Sequence, residues 1–314
     1  MADPTTKAIE GRSLGRIAWT RLKRDKVALT GGAVVLFLIV VAVLAYPIAA
    51  IFGHPIDEMH GDLIDPNLGG LPKGEWGGMS WDYLLGVEPG HGRDVFSRVV
   101  VGAQVSLLIA FVATVVSTVL GVTLGLLAGY KGGWIDTVLS RVMDYFLAFP
   151  TLLLSIALIV VMPRKFLGLS GTWLNMAVIV LIIGGFSWPY IGRIVRGQVL
   201  SLKEREFVEA SKSLGARTPY IVFRELLPNL VAPILVYATL AIPTNMLFEA
   251  ALSFLGVGVQ PPKPSWGQMI SDAINYYEFD PLYLIVPGGA LFITVLAFNL
   301  FGDGLRDALD PKAN

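Results

Sequence analysis

Six long runs of apolar residues, separated by polar segments, dominate the chain. A bilayer core about 30 Å thick is crossed by roughly 20 residues of helix, and each run reaches that length. The runs comprise residues 28–52, 100–130, 138–162, 174–195, 231–256 and 282–302. Backbone polar groups must be paired in hydrocarbon, and the runs lack the alternation of barrel strands, so helices are expected. The pattern predicts an all-α integral membrane protein with six transmembrane helices.

The first run has the position of a signal peptide but not its pattern. A signal peptide has an apolar core of about 7–15 residues, which a small-residue cleavage site follows. The run at 28–52 is longer, and no such site ends it. We therefore expect this helix to be retained.

The composition is that of a chain with lipid as its main solvent. Hydrophobic residues make up 54% and charged residues 15%, with a mean hydropathy of +0.65, whereas about a quarter of the residues of soluble domains are charged. The net charge is zero, so charge indicates no nucleic-acid partner. Cysteine is absent and the three histidines all fall within 53–99. Disulfides and thiolate sites are therefore excluded, and no metal site is predicted.

Lysine and arginine are distributed unequally between the two sides that six crossings define. Cytoplasmic segments of membrane proteins are enriched in these residues. With both termini on one side, eighteen basic residues fall on that side and six on the other. The sequence therefore predicts a basic cytoplasmic segment at 1–27, an extracytoplasmic loop at 53–99 and a cytoplasmic tail at 303–314.

The predicted loop 53–99 is rich in glycine, proline and acidic residues. Nothing in it predicts a strand or a long helix. Two interpretations are open. The loop is either a solvated lid over the outer helix ends or a docking surface for an extracytoplasmic partner.

The polar segment 204–217, between the fourth and fifth spans, has helical periodicity. The i, i+3, i+4, i+7 spacing of one helix face is followed by Phe207, Ala210, Ser211 and Leu214. Gly215 is a predicted helix stop because glycine adopts the left-handed cap without penalty. Pro228, after Leu227, suits the first turn of the next membrane helix. Periodicity alone also fits a solvated turn or a helix lying on the lipid headgroups.

The same segment contains a spaced motif. It reads Glu209-Ala210-Ser211, three residues, Gly215, nine residues, and a segment ending in Leu227-Pro228. This resembles the signature of ABC importer permeases, in which the helix docks into a cleft on the nucleotide-binding subunit. That signature often has alanine at the position of Ser211 and isoleucine at that of Glu225. The resemblance implies a coupling contact with an ATPase, formed by Phe207, Glu209, Ala210, Ser211, Leu214 and Gly215.

Further stretches extend the resemblance over most of the chain, toward the dipeptide, oligopeptide and nickel branch of these permeases. They are 92–98 (GRDVFSR), 128–133 (AGYKGG) with Asp136, 147–150 (LAFP), 251–262 (ALSFLGVGVQPP) with 264–267 (PSWG), and 303–311 (DGLRDALDP). The stretch 87–91 departs from the usual, slightly shorter form, so contacts of the outer loop are not carried over. The resemblance implies a type I ABC importer permease fold, with a five-helix core at 100–302.

The resemblance also implies partners. They are a related second permease subunit, two cytoplasmic ATPase subunits that bind ATP and Mg, and an extracytoplasmic solute-binding protein. The chain contains no G-x-x-x-x-G-K-[ST] phosphate loop, so this subunit is not expected to be an enzyme or to hold a cofactor. ATP-driven movement is expected to enter through residues 206–215 and to alternate access to a cavity shared by the two permease subunits.

The implied substrate is a short peptide, carried across a bacterial or archaeal cell membrane. Nickel or another small solute of the same branch is the alternative. A channel or ion-coupled carrier normally shows a filter or several intramembrane charges, and a membrane-embedded enzyme needs a catalytic constellation. Neither pattern is present in the spans.

One acidic residue, Glu249, falls in the outer half of the fifth span. A carboxylate there is costly unless it faces protein or water. Glu249 is therefore either part of an intramembrane polar site with Asn245 or a structural hydrogen-bonding group, with Asn245 or Ser253 as partner.

Two local patterns concern packing. Gly121, Gly125 and Gly129 recur every four residues along the second span, which predicts close approach of another helix. Asp144 follows Arg141 by three residues, which predicts a local ion pair.

Overall fold

The structure is a computed structural model, and it describes residues 14–163, 165–166 and 169–310. These residues form a bundle of helices with two very short antiparallel ladders. The helices are α1 (Leu14–Leu22), α2 (Lys26–Val43), α3 (Ala45–Phe52), α4 (Val95–Lys131), α5 (Gly133–Ala148), α6 (Thr151–Val161), α7 (Gly171–Leu202), α8 (Glu206–Ser213), α9 (Thr218–Tyr220), α10 (Leu227–Phe254), α11 (Trp266–Ala273) and α12 (Pro281–Leu309). The strands are β1 (Ile64–Asp65) with β2 (Leu71–Pro72), and β3 (Lys165–Phe166) with β4 (Leu169–Ser170).

Five continuous helical segments of the described chain are long and apolar enough to cross a membrane. They are α2, α4, α7, the segment Thr218–Phe254 that contains α9 and α10, and α12. The remaining predicted span, 138–162, is not one straight helix, because α5 and α6 meet at an angle of 86°. Phe149 between them is extended, at φ −77° and ψ 141°. Pro150 disfavours a helical conformation for the residue before it, which explains the break.

The predicted ends of the first two spans also shift. The run 28–52 is divided into α2 and α3 at Leu44, and the second span begins at Val95 rather than at residue 100. Asp94 caps the start of α4, since its carboxylate accepts hydrogen bonds from the backbone N–H groups of Phe96 and Ser97. The loop is correspondingly shorter, and it contains β1, β2 and three 3₁₀ turns, where no strand was predicted.

The α4–α7 contact is unusually close. Gly121, Gly125 and Gly129 are all buried on α4. A Cβ atom at Gly125 would lie 2.6 Å from the carbonyl oxygen of Gly192 on α7, and one at either of the other two would lie 2.8 Å from a Cβ atom of α7. Because such distances are shorter than real Cβ contacts, only glycine permits this approach of the two backbones.

Ion pairs join α5 to α7. Asp144 lies 3.7 Å from Arg141, as the i, i+3 spacing predicts, but it is closer to Arg193 of α7, at 2.6 Å. Asp136 receives two contacts from the guanidinium of Arg196, one of them at 2.7 Å. The cross-helix pairs therefore fix α5 against the α4–α7 unit.

Candidate functional site

The short helix α8 touches the bundle through one buried side chain. Val208 is 0% exposed and belongs to an apolar cluster that includes residues of α7 and of the turn before α10. Leu214 is 89% exposed and Phe207 39% exposed, and Ala210 is exposed as well. Val208 was not among the predicted coupling residues, although it follows Phe207 directly. The helix therefore rests on Val208 and turns Phe207, Ala210 and Leu214 outward; these three residues are called the outward strip.

Ser211 shares the periodicity of the outward strip but not its exposure. It is half-buried, and its hydroxyl donates a hydrogen bond of 3.1 Å to Oε1 of Glu225. These are the two positions at which the chain departs from the usual letters of the permease signature, and in the fold they contact each other. Glu209, the remaining predicted acidic contact, is exposed.

The C-terminal end of α8 has the geometry predicted for Gly215. Gly215 has φ +78°. Its N–H donates to the carbonyl of Lys212 at 2.9 Å, and the N–H of Ala216 donates to that of Ser211 at 3.0 Å. These two bonds define the Schellman motif. A residue with a Cβ would be strained at this φ, so glycine fixes the direction in which the chain leaves α8.

The chain re-enters the bundle through a widened helical turn. As predicted, α10 begins at Leu227 with Pro228 in its first turn. A π-helical turn, Ile221–Leu226, connects α9 to α10. The N–H of Leu227 donates to the carbonyl of Val222, which lies five residues earlier. Proline lacks an N–H and its ring crowds the carbonyl four residues earlier, so the wider turn accommodates Pro228.

Glu249 lies at the centre of a hydrogen-bond network between three helices. It is 1% exposed. Its carboxylate accepts from the hydroxyls of Ser253 at 2.7 Å, Ser265 at 2.9 Å and Ser106 at 3.2 Å. Ser106 is on α4, and Ser265 caps α11 by accepting from the N–H of Gln268. Through these described partners, Glu249 joins α4, α10 and the start of α11. Of the two partners suggested from the sequence, Ser253 bonds to Glu249, whereas the hydrogen bonds of Asn245 go to other residues.

Asn245 forms a separate network one turn earlier. Its amide nitrogen donates to Thr114 on α4 at 2.9 Å, and its amide oxygen accepts from Ser187 on α7 at 3.3 Å. Asn245 therefore connects the same face of α10 to α4 and α7. The structure does not bring Asn245 and Glu249 into one hydrogen-bonded site.

A cavity of about 460 Å³ lies beside Asn245. Its walls come mainly from α7 and α10, with contributions from the ends of α5 and α6 next to the break at Pro150. Its polar lining residues include Ser117, Thr151, Ser187, Tyr190, Tyr237 and Thr244. The rings of Tyr190 and Tyr237 meet edge to face, with centroids 6.3 Å apart. Hydroxyl groups of this kind offer both donors and acceptors to a polar solute.

The loop before α4 carries a buried charged cluster that sequence reasoning missed. Glu88 is 1% exposed and Arg98 is fully buried, with Arg98 Nε 3.0 Å from Glu88 Oε2. Arg93 contacts the other oxygen of Glu88, and the hydroxyl of Tyr283 on α12 donates to Glu88 Oε2 at 3.3 Å. Nearby, burial raises the pKa of Asp272, and the charge of Glu88 adds to that shift. We call Glu88, Arg93 and Arg98 the Glu88 cluster; it ties the loop to α4 and α12.

The described part of the chain brings together no group of three or more His, Cys, Asp or Glu side chains suited to a metal ion.

Comparison with known proteins adds the family context. A family model described as "Binding-protein-dependent transport system inner membrane component" matches residues 121–314. A second model, described as "N-terminal TM domain of oligopeptide transport permease C", matches residues 13–67. The second model thus lies at the N-terminal side of the first, and residues 68–120 separate the two matches.

Several curated relatives match over nearly the full length. The dipeptide transport system permease protein DppC of Alkalihalophilus pseudofirmus is 39% identical over 95% of this chain and 90% of its own. The glutathione transport system permease protein GsiD of Escherichia coli is 41% identical over 99% of this chain and 95% of its own. Among solved structures, the MetNI methionine ABC transporter in inward-facing conformations matches with a TM-score of 0.52 and 24% identity, over 68% of this chain and 96% of that chain. This match shows the shared fold.

Proposed function

The chain belongs to the family of binding-protein-dependent transport system inner membrane components, and it is a permease subunit of the peptide-type branch of ABC importers. We propose that it forms half of a pathway for short peptides. Its own residues supply the pathway wall and the contact through which ATP hydrolysis drives transport. It does not hydrolyse ATP itself.

The outward strip carries the coupling part of the proposal. Apolar side chains that project from a small polar helix lose contact with water when a partner covers them, and so they favour a protein interface. Phe207, Ala210 and Leu214 are presented in this way, next to the exposed carboxylate of Glu209. We assign this surface to an ATPase subunit on the cytoplasmic side. The basic residues flanking α8 support that side.

The cavity beside Asn245 supports the pathway part of the proposal. Its hydroxyl-bearing walls can exchange hydrogen bonds with the amide groups of a peptide, while its apolar residues tolerate varied side chains. A related second permease subunit supplies the facing wall, and an extracytoplasmic binding protein delivers the solute. Both termini lie in the cytoplasm under this arrangement.

The relatives support short peptides as the substrate class. One is named for dipeptides and another for glutathione, itself a short peptide. The decisive measurement is uptake of labelled dipeptides and tripeptides by cells that lack this subunit and by the same cells complemented with it. Equal uptake by both, or restored uptake of nickel alone, would contradict the peptide assignment.

Coupling is tested in the complete importer reconstituted in lipid vesicles with its binding protein. Gly215→Val strains the left-handed cap, and Glu209→Lys reverses an exposed charge, so we expect both to hydrolyse ATP while importing little peptide. Gly197→Ala is the matched control, because a Cβ at this glycine of α7 meets nothing within 4 Å. Normal uptake by both variants, in normally assembled complexes, would remove the assignment of α8 as the coupling helix.

A further inference from the structure

Two contacts attach α8 to the bundle, one apolar and one a hydrogen bond. Val208 provides an apolar contact, which holds the helix down but does not by itself fix its rotation, since apolar contacts are not directional. Among the residues that the structure describes, the side-chain hydrogen bond leading away from α8 is that from Ser211 to Glu225. A hydrogen bond depends on angle as well as on distance. The two contacts together therefore define one orientation of the helix.

Glu225 lies in the π-helical turn Ile221–Leu226, directly before α10. Its backbone carbonyl accepts a hydrogen bond of 2.7 Å from the side-chain amide of Asn229. Its side chain points back to α8, so Glu225 is held both by α8 and by the first turn of α10. The same helix continues to Tyr237, Thr244 and Asn245, which line the cavity.

We propose that Ser211 and Glu225 are a positioning pair, whose hydrogen bond passes the displacement of α8 on to α10. Without this bond, α8 can roll on Val208 when an ATPase moves it, and part of the movement never reaches the cavity wall. Ser211 thus acts inward, on its own subunit, and the outward strip acts on the ATPase. The inference rests on the proposed function of α8 as the coupling helix.

The test measures ATP hydrolysed per peptide imported, in the complete reconstituted importer. Ser211→Ala removes the donor and Glu225→Leu removes the acceptor, so each should raise this ratio about three- to tenfold, the range of one net hydrogen bond. Ser211→Thr keeps the hydroxyl and Glu225→Gln keeps an acceptor oxygen. Both conservative variants should retain a ratio near that of the wild type.

The double variant Ser211→Ala/Glu225→Leu separates a pair from two independent residues. If the two side chains act through one bond, the double variant is no worse than the worse single variant. Tyr277→Phe is the matched control, because it removes a hydroxyl-to-carboxylate hydrogen bond of 3.2 Å, to Glu278, far from α8 in the sequence. Its ratio should be unchanged.

The outcomes distinguish this inference from the function on which it rests. A wild-type importer without ATP-coupled peptide uptake would overturn both. A coupled wild type with an unchanged ratio in Ser211→Ala would overturn the positioning pair alone. Strictly multiplicative effects in the double variant would also overturn the positioning pair. The same holds for variants that lower the yield of assembled complex but leave the amount of ATP hydrolysed per peptide unchanged.

Discussion

The Glu88 cluster and α8 place charge and apolar surface in opposite ways. In the cluster, the carboxylate and both guanidinium groups are buried and pair within the chain. On α8, the charged side chains are exposed, and so is the outward strip. A buried charge is costly unless an opposite charge pairs with it. The charges of the cluster are thus paired within this chain, whereas α8 leaves apolar side chains exposed, at the surface that we propose an ATPase subunit covers.

Removing Glu88 should have the largest effect, because it leaves buried charges unpaired. Glu88→Ala leaves Arg93 and Arg98 buried without their counter-charge, so we expect a loss of about 3–5 kcal/mol in the free energy of unfolding. The measurement is chemical unfolding of the purified subunit in detergent. Glu75→Ala, at an exposed acid of the same loop, is the control and should change stability by less than about 0.5 kcal/mol. Equal losses for the two variants would show that the cluster is not a stabilising unit.

Shortening Val208 should loosen α8 without disturbing the rest of the bundle. Val208→Ala removes two buried methyl groups, which costs about 1–3 kcal/mol at that contact. We expect faster tryptic cleavage at the exposed Lys212 and faster hydrogen exchange across α8, with unfolding of the bundle nearly unchanged. A variant that lowers the stability of the whole subunit would place α8 within the cooperative core instead.

Truncating Leu214 should weaken binding of the ATPase without lowering the stability of the subunit. Because the side chain is 89% exposed, Leu214→Ala should change the stability of the isolated subunit by less than about 0.5 kcal/mol. Capture of the ATPase subunits should nevertheless weaken roughly tenfold, as for an interface residue worth more than 1 kcal/mol. The measurement is a titration of ATPase onto the permease pair. Unweakened capture would exclude Leu214 from the contact.

The smallest expected effect concerns Asp272, next to the Glu88 cluster. Burial raises the pKa of this carboxyl, so the folded state favours its neutral form. The charged form therefore lowers stability at neutral pH, and protonation relieves that cost as the pH falls through the raised pKa. Asp272→Asn should be slightly more stable than the wild type at neutral pH, with the difference vanishing in acid. A variant less stable than the wild type at neutral pH, with the difference again vanishing in acid, would show that the attraction of Arg98 and Arg93 prevails.

The membrane helices and the cap of α8 were predictable because local residues determine them. Hydropathy located the five long apolar helices of the described chain and the bent α5–α6 pair, and Gly215 marked the end of α8. The break at Pro150 was missed because apolar residues lie on both sides of it, so hydropathy continues across the bend. The start of α4 was available from Asp94, a good N-cap residue, but the length of the apolar run concealed it.

Contacts between distant residues were not predictable in the same way. Ser211 and Glu225 are fourteen positions apart and on different elements, so only the fold brings them together. Glu88 and Arg98 look like ordinary loop charges in the sequence, and their burial depends on how the loop folds onto α12. Val208 lay one residue from the predicted face, and periodicity alone does not decide which face a short helix buries.

The glycine contact between α4 and α7 has a consequence for how transport is possible at all. No layer of side chains separates the two backbones at Gly125, so neither helix can slide or turn against the other without atomic overlap. The two must travel as one solid unit. In the transport cycle proposed above, we therefore expect α4 and α7 to move together whenever the cavity changes the side of the membrane that it faces, with Asn245 bonding α10 to both of them.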